Sequence, residues 1–328
     1  MLTFITSAIR FGMSLLCGST GETITEKSGH LNLGIPGVMC VGAASGCLAT
    51  SKYMAAVGGL TGKSFPVIFF CILLAILACL IGGALMGLIY SFLTVSLGAN
   101  QNVTGLALTT FGVGVSSMMV AKTRDFVLAS RFFTTSLPFA RSLGWFGELF
   151  LSYGVLIYIS IAIAIAASII LTRTRLGLQL RAVGESPATA DAAGINVKAY
   201  RYGATCVGCS IAALGGFIYI MDNLEGNWEY TIDSIGWLAV ALVIFTVWKP
   251  VIGIFGSIIF GALYICSPFI SLSRFSNLTL NQMLAVKDLI KILPYVVTIL
   301  VLVITSIRNK RENQAPAGLG VNYYREDR

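Results

Sequence analysis

The sequence predicts an all-α fold, a polytopic transmembrane helical bundle of about nine spans (roughly eight to ten), on three observations. Hydrophobic residues make up 56% of the 328 residues and charged residues 11%. Soluble domains carry about 25% charged residues, and a soluble core could not absorb this much apolar surface. Apolar runs recur from Leu2 almost to Ile307 between short polar patches, so residues 1–307 read as one membrane domain and 308–328 as a soluble cytoplasmic tail. The net charge of +8 is spread over short connectors without a long basic face, which speaks for membrane orientation and against nucleic acid.

The spans are expected at residues 2–20, 33–56, 65–90, 99–121, 153–172, 202–221, 235–247, 251–270 and 289–307. The opening stretch imitates a lipoprotein signal. It lacks a basic start and has Leu16 where a small residue should precede Cys17, so it is expected to stay as the first span. Residues 21–39 follow, dense in glycine and polar groups. Exposed backbone is costly at that depth, so the segment is expected to be buried in protein or to line a polar cavity as a gating element. Glu22 and Glu26 would lie one turn apart if this part is helical, and Asn32 would cap the next helix. His30, the sole histidine, reads as a polar loop residue.

The pairs Gly42/Gly46 and Gly83/Gly87 have a spacing that lets helices approach closely. Asn100, Gln101, Asn102 and Thr104 open the fourth span. Their amides and hydroxyl suit an uncharged polar ligand and equally suit bonds between helices. In the connector 122–148, Phe132, Phe133, Trp145 and Phe146 are expected to lie flat at the outer interface as a docking surface.

The connector 173–201 carries Arg173, Arg175, Arg181, Lys198 and Arg201, and the tail carries Arg308, Lys310 and Arg311. The positive-inside rule puts both in the cytoplasm, and the acidic loop from Asp222 to Asp233 outside with the N-terminus. Within this connector Ser186 is a natural N-cap, Pro187 fits the first helical position, alanines follow and Gly194 ends the turn. The result is a short helix with a small-residue surface, framed by Arg181 and Glu185, that lets a partner approach. The span 235–247 is short for a bilayer, so the Trp248–Lys249–Pro250 corner is expected in the protein interior as a broken or re-entrant element.

Chemistry is not expected on this chain. Residues 58–64, GGLTGKS, imitate a phosphate loop, but its first glycine would fall at Val57 and no strand precedes it. Cys206 and Cys209 form a CxxC inside a span, without a second pair or a nearby histidine, so helix packing is the expectation there. All eight cysteines lie in apolar stretches, where they behave as small hydrophobes. Paired catalytic carboxylates, HExxH and GxSxG are missing. The expectation is a chain that is not an enzyme, holds no cofactor and leaves any use of ATP to a separate subunit.

Four segments in order, GETITEKSGHLNLGIPGVM, NQNVTGLALTTFGVGV, LRAVGESPATADAAGINVKAYR and IGWLAVALVIFTVWKPVIGIFGSIIFGAL, resemble the branched-chain amino acid and sugar permease superfamily of ABC importers, most closely its nucleoside-type permeases. The resemblance implies a type II-like permease fold. It implies that Arg181, Gly184, Glu185, Pro187, Ala190 and Gly194 belong to a coupling helix seated on an ATP-binding subunit. It also implies that Asn32, Gly34 and the Asn100–Thr104 cluster approach the translocation path, with Glu22 and Glu26 beside them. The sequence departs from the family at His30, Pro36 and Thr246, where an aliphatic residue, an acidic residue and a glycine are common.

Implied partners are the ATPase, a second, paralogous permease chain, an extracytoplasmic substrate-binding lipoprotein and membrane lipid. The implied activity is alternating-access import of a nucleoside or similar small polar heterocycle across the bacterial cytoplasmic (inner) membrane. Riboflavin or a simple sugar is the nearest alternative cargo, because one scaffold serves each. An ion-coupled secondary transporter would show charges in mid-span and inverted repeats, and neither stands out.

Overall fold

The computed structural model describes residues 2–121, 127, 129–135, 144–229, 231–269, 282, 285–286, 289–290, 292–308 and 314–324. Lys122, Lys310 and Arg311 of the sequence reading lie outside these residues, as do 136–143 of the outer connector.

The helices are α1 (Leu2–Glu26), α2 (Ile35–Val57), α3 (Phe65–Ser91), α4 (Gln101–Val120), α5 (Ser130–Thr134), α6 (Gly144–Phe150), α7 (Val155–Arg173), α8 (Arg175–Glu185), α9 (Pro187–Ala192), α10 (Val197–Ile218), α11 (Ile232–Phe245), α12 (Pro250–Phe269) and α13 (Leu293–Arg308). Short π turns extend α3 over Phe92–Ser96 and α10 over Tyr219–Asn223. Five of these helices are long and apolar enough to cross a membrane: α1, α4, α7, and α3 and α10 with their extensions. With α2, α11, α12 and α13 they form the polytopic bundle that the apolar runs predict.

Helix α10 is the central post, packed against α1, α2 and α3. Small residues make this possible, since in lipid the gain comes from close backbone approach rather than from removing apolar surface from water. A Cβ on Gly21 would lie 2.2 Å from the Gly208 carbonyl, and one on Gly208 would lie 2.5 Å from that of Gly21. Both glycine pairs singled out in the sequence face this post. Gly42 and Gly46 pack on Ala213 and Phe217, while Gly83 and Gly87 pack on the backbone around Cys209 and Thr205.

Several expectations change. Helix α1 does not stop near Thr20 but continues to Glu26, its last turns braced by hydroxyls of Thr23 and Thr25 donating to the Ser19 and Gly21 carbonyls at 2.7 and 3.2 Å. Phe133 is not an interface residue. It is buried and meets Phe217 edge-on at 5.4 Å, whereas Trp145 and Phe146 are exposed. The Trp248 corner is a four-residue turn between α11 and α12, half-buried rather than interior, with Val247 and Trp248 both in left-handed backbone (φ 55° and 54°). Such a conformation is unfavourable for a β-branched residue. Charge also enters the bundle: α1 carries Arg10, Glu22 and Glu26, and α10 carries Arg201, followed by Asp222 in its π turn.

Candidate functional site

At the end of α1 the polar residues of segment 21–39 close into a hydrogen-bonded knot. Glu22 is fully buried, and its Oε1 accepts the backbone N–H of Asn32 at 3.1 Å. Its Oε2 has no hydrogen-bond partner. One turn on, Glu26 accepts from the indole N–H of Trp248, and the Lys27 ammonium sits 6.0 Å from the centre of that ring. Lys27 is partly desolvated, which lowers its pKa; Glu185 and Glu26 oppose that shift, while Arg181 and Lys249 add to it. These contacts tie the α11–α12 corner to α1.

Asn32 does not cap α2. That place falls to Gly34, which has no side-chain cap, and Asn32 instead turns inward. Its Oδ1 accepts from the Gly34 N–H at 2.9 Å and its Nδ2 donates to the Cys209 sulfur at 3.3 Å. The CxxC thus contributes one sulfur to interhelix bonding. His30 is no ordinary loop residue. It is fully buried, with Nδ1 3.0 Å from the Thr205 hydroxyl, Nε2 3.4 Å from the Thr94 hydroxyl and its ring edge-on to Tyr90. Burial, helped by the nearby Arg201 charge, pushes the imidazole down to about 3, so it bridges α3 and α10 as the neutral ring.

The Asn100–Thr104 cluster divides. Asn100 caps α4 by accepting from Val103 N–H at 3.1 Å, and both Asn100 and Asn102 are exposed. Thr104 and Gln101 are buried. The Gln101 side chain accepts from Leu31 N–H at 2.8 Å and donates to Asn322 at 3.0 Å. Tyr90 closes the ring by donating to the Leu31 carbonyl at 2.5 Å. Gly34 packs against Leu108 of α4. Of the expected path residues, Glu22, Glu26, Asn32, Gly34 and Gln101 therefore meet in one buried region; Thr104 is buried on the same helix as Gln101, and Asn100 and Asn102 are exposed.

The helix expected after Ser186 is present. Ser186 Oγ accepts the Thr189 N–H, Pro187 begins α9, and Gly194 follows it in left-handed backbone at φ +83°. Its two faces differ. Ala190, expected on the contact surface, is buried against Val183 and Val197. Gly184 is also turned inward, because a Cβ there would lie 2.3 Å from the Lys27 carbonyl. Arg181, Glu185, Ala188 and Gly194 are exposed, and Pro187 is half-buried. Behind α8 lies a cavity of about 600 Å³, with Lys27, Arg181, Glu185, Trp248 and Lys249 among its lining residues.

No motif in the tail hints at its place in the fold. Residues 314–324 fold back as a strap rather than standing free. Gly318 N–H donates to the Gly184 carbonyl at 2.9 Å, and Gly320 N–H to that of Gly29 at 3.2 Å. Asn322 donates to the Gly98 carbonyl at 2.7 Å, and Tyr323 to the Asp191 carboxylate at 2.8 Å. The strap binds α8–α9, the α1–α2 turn and the α3–α4 turn into one end of the bundle.

Known proteins agree with a transport subunit. The sequence model of the family described as branched-chain amino acid transport system / permease component matches residues 4–302. TsgC13 of Haloferax volcanii, provisionally named a glucose ABC transporter permease protein, is 29% identical over 98% of this chain and 97% of its own. The nucleoside ABC transporter permease protein NupC of Lactococcus lactis is 28% identical over 97% of this chain and 96% of its own. The guanosine ABC transporter permease protein NupQ of Bacillus subtilis is 28% identical over 78% and 79%. No solved structure matches significantly. The chain, a multi-pass membrane protein, belongs to the family of permease components of branched-chain amino acid transport systems.

Proposed function

We propose that this permease is the membrane subunit of an ATP-binding cassette importer for a nucleoside or similar small polar heterocycle. It would work with a separate ATPase, a second, paralogous permease chain and an extracytoplasmic binding lipoprotein, in the bacterial cytoplasmic membrane. The observation that carries the coupling half of this reading is the seat of α8: Gly184 rests on the Lys27 carbonyl, immediately after Glu26. A push on the exposed Glu185–Ala188 face would therefore reach the Glu22–Trp248 knot without an intervening flexible loop. The knot acts as an inner gate, and Glu22, Asn32 and Gln101 open onto the path when α1 moves against α10. ATP binding on the partner subunits supplies the motion, and this chain supplies the lever and gate.

The nucleoside half is supported by the names of two relatives, NupC and NupQ. The glucose name of a third, TsgC13, favours a sugar as the second reading. Uptake of labelled guanosine, uridine, riboflavin, ribose and glucose by the reconstituted complex separates the readings. ATP-dependent nucleoside uptake is expected, and uptake of a free sugar alone would replace it with the second reading. For coupling, Glu185→Lys and Ala188→Trp should abolish transport-stimulated ATP hydrolysis while the complex of the two permeases still assembles. Unchanged uptake in both variants would remove α8–α9 from the coupling role.

A further inference from the structure

The other end of α1 carries a second polar constellation that the coupling and gating reading leaves unused. Arg10 lies about 24 Å along the helix from Glu26, close to one bilayer thickness away. A cavity of about 410 Å³ opens there, and Arg10, Ser130, Arg131, Asp222, Glu225 and Asn227 are among its lining residues. Asp222 is 4% exposed and its Oδ2 has no hydrogen-bond partner. Arg10 Nε is likewise buried and without one. Buried polar atoms left open next to a cavity are completed by water or by a ligand.

The lining chemistry narrows the ligand. Two guanidinium groups and two carboxylates balance, so the cavity offers no net charge to hold an ion. Carboxylates accept from hydroxyl groups, guanidinium groups donate to hydroxyl oxygens, and the Asn227 amide does both. Adjacent acceptors and donors of this kind match vicinal hydroxyls. Most of the described lining residues are polar, which favours the hydroxyl-bearing part of a ligand as the part that is held. The volume lies within the range of small-molecule sites, about 300–1,000 Å³.

We infer that this cavity is a reception site for the ribose hydroxyls of the incoming nucleoside, with Asp222 accepting from the sugar and Arg10 and Arg131 donating to it. The inference rests on the nucleoside reading and adds to it a site that recognises the sugar. It places the site on the face opposite α8–α9, where cargo arrives.

The test uses the whole importer in intact cells without the binding protein, and the variant Asn227→Cys labelled by a membrane-impermeant maleimide, with the parent chain as the background control. Saturating uridine should slow labelling about fivefold or more, whereas 2′,3′-dideoxyuridine, which lacks both ring hydroxyls, should leave it unchanged. Asp222→Asn should remove the protection. If that buried substitution prevents assembly, Arg131→Gln at the exposed rim should weaken the protection instead. Equal protection by both nucleosides, protection by neither, or no labelling from outside would overturn the inference. Protection by added binding protein but not by uridine would also overturn it and mark the cavity as a protein-docking surface. Uptake of labelled uridine by cells that carry the parent importer together with its binding protein keeps the two claims apart. Uptake without protection removes the cavity alone, and protection without uptake removes the transport reading alone.

Discussion

The two ends of α1 differ in what surrounds their buried polar groups, a bonded network at one and a cavity at the other. At the Glu26 end Asn32, His30, Gln101 and Tyr90 each join two elements through hydrogen bonds, and the atoms left without a partner, such as Glu22 Oε2, Ser91 Oγ and Arg201 Nε, are enclosed among them. At the Arg10 end, Asp222 and Arg10 leave buried atoms without partners beside a cavity. A bonded network holds helices in one arrangement, while open polar atoms hold a place for something else. On the readings proposed above, the first end is a latch that must be broken to open a path, and the second a place that receives ligand without rearranging helices.

The largest effect is expected where the latch meets the lever. Gly184→Val would place side-chain atoms against the Lys27 carbonyl, only 2.3 Å from the Cβ position. Neither the α8 backbone nor the α1–α2 turn can yield without losing the strap bonds to Gly184 and Gly29. A cost above about 3 kcal/mol is expected, seen as loss of monodisperse complex in detergent or a sharply lower melting temperature. Survival of the variant with normal stability would mean that the seat of α8 is loose.

Next comes Gln101→Leu, which removes the acceptor of the Leu31 N–H and the donor to Asn322 together. An orphaned buried N–H and the lost strap contact should cost about 2–3 kcal/mol. The Asn322→Ala variant, which frees the strap but spares Leu31, should cost less. The ratio of the two melting shifts separates latch from strap; equal shifts would place the whole effect in the tail.

The pair of ends also shows what the sequence could reveal. Helix α9 was legible because its signals are local: Ser186, Pro187 and Gly194 lie within one short stretch and act through backbone geometry. The glycine pairs were legible as close contacts for the same reason, though their partner α10 was not. Gly184 and Ala190 pack on the chain's own residues, which the sequence did not reveal because a small residue looks alike whether it faces a partner or its own chain. The helical course of residues 21–26 was hidden by their polarity, since threonine hydroxyls that donate back to the helix replace the missing apolar pattern. The strap was invisible. Its bonds are largely to backbone, from residues more than a hundred positions away, and no periodicity records such a contact.

His30 sharpens the latch by pH. Its folded-state pKa, near 3, lies below the usual 6.5, so between these values the unfolded chain binds more protons than the folded one. Stability from this group is therefore complete above pH 6.5 and falls by about 1.4 kcal/mol per pH unit below it. The His30→Gln variant should show a flatter decline in melting temperature between pH 6.5 and 5. Identical slopes for the two proteins would mean that the imidazole is not held neutral in the bundle.

The smallest effect is expected at the other end, and it is the most telling for the comparison. Asn227 is exposed at the cavity rim, and among the described residues its side chain donates only to the nearby Leu224 carbonyl, at 3.1 Å. Asn227→Ala should change stability by less than about 0.5 kcal/mol while still weakening uridine uptake at low concentration. A latch residue cannot behave in this way, because its bonds are the same ones that hold the helices together. If Asn227→Ala lowered the melting temperature as much as Gln101→Leu does, the Arg10 end would be a second structural knot, and the division of labour along α1 would fail.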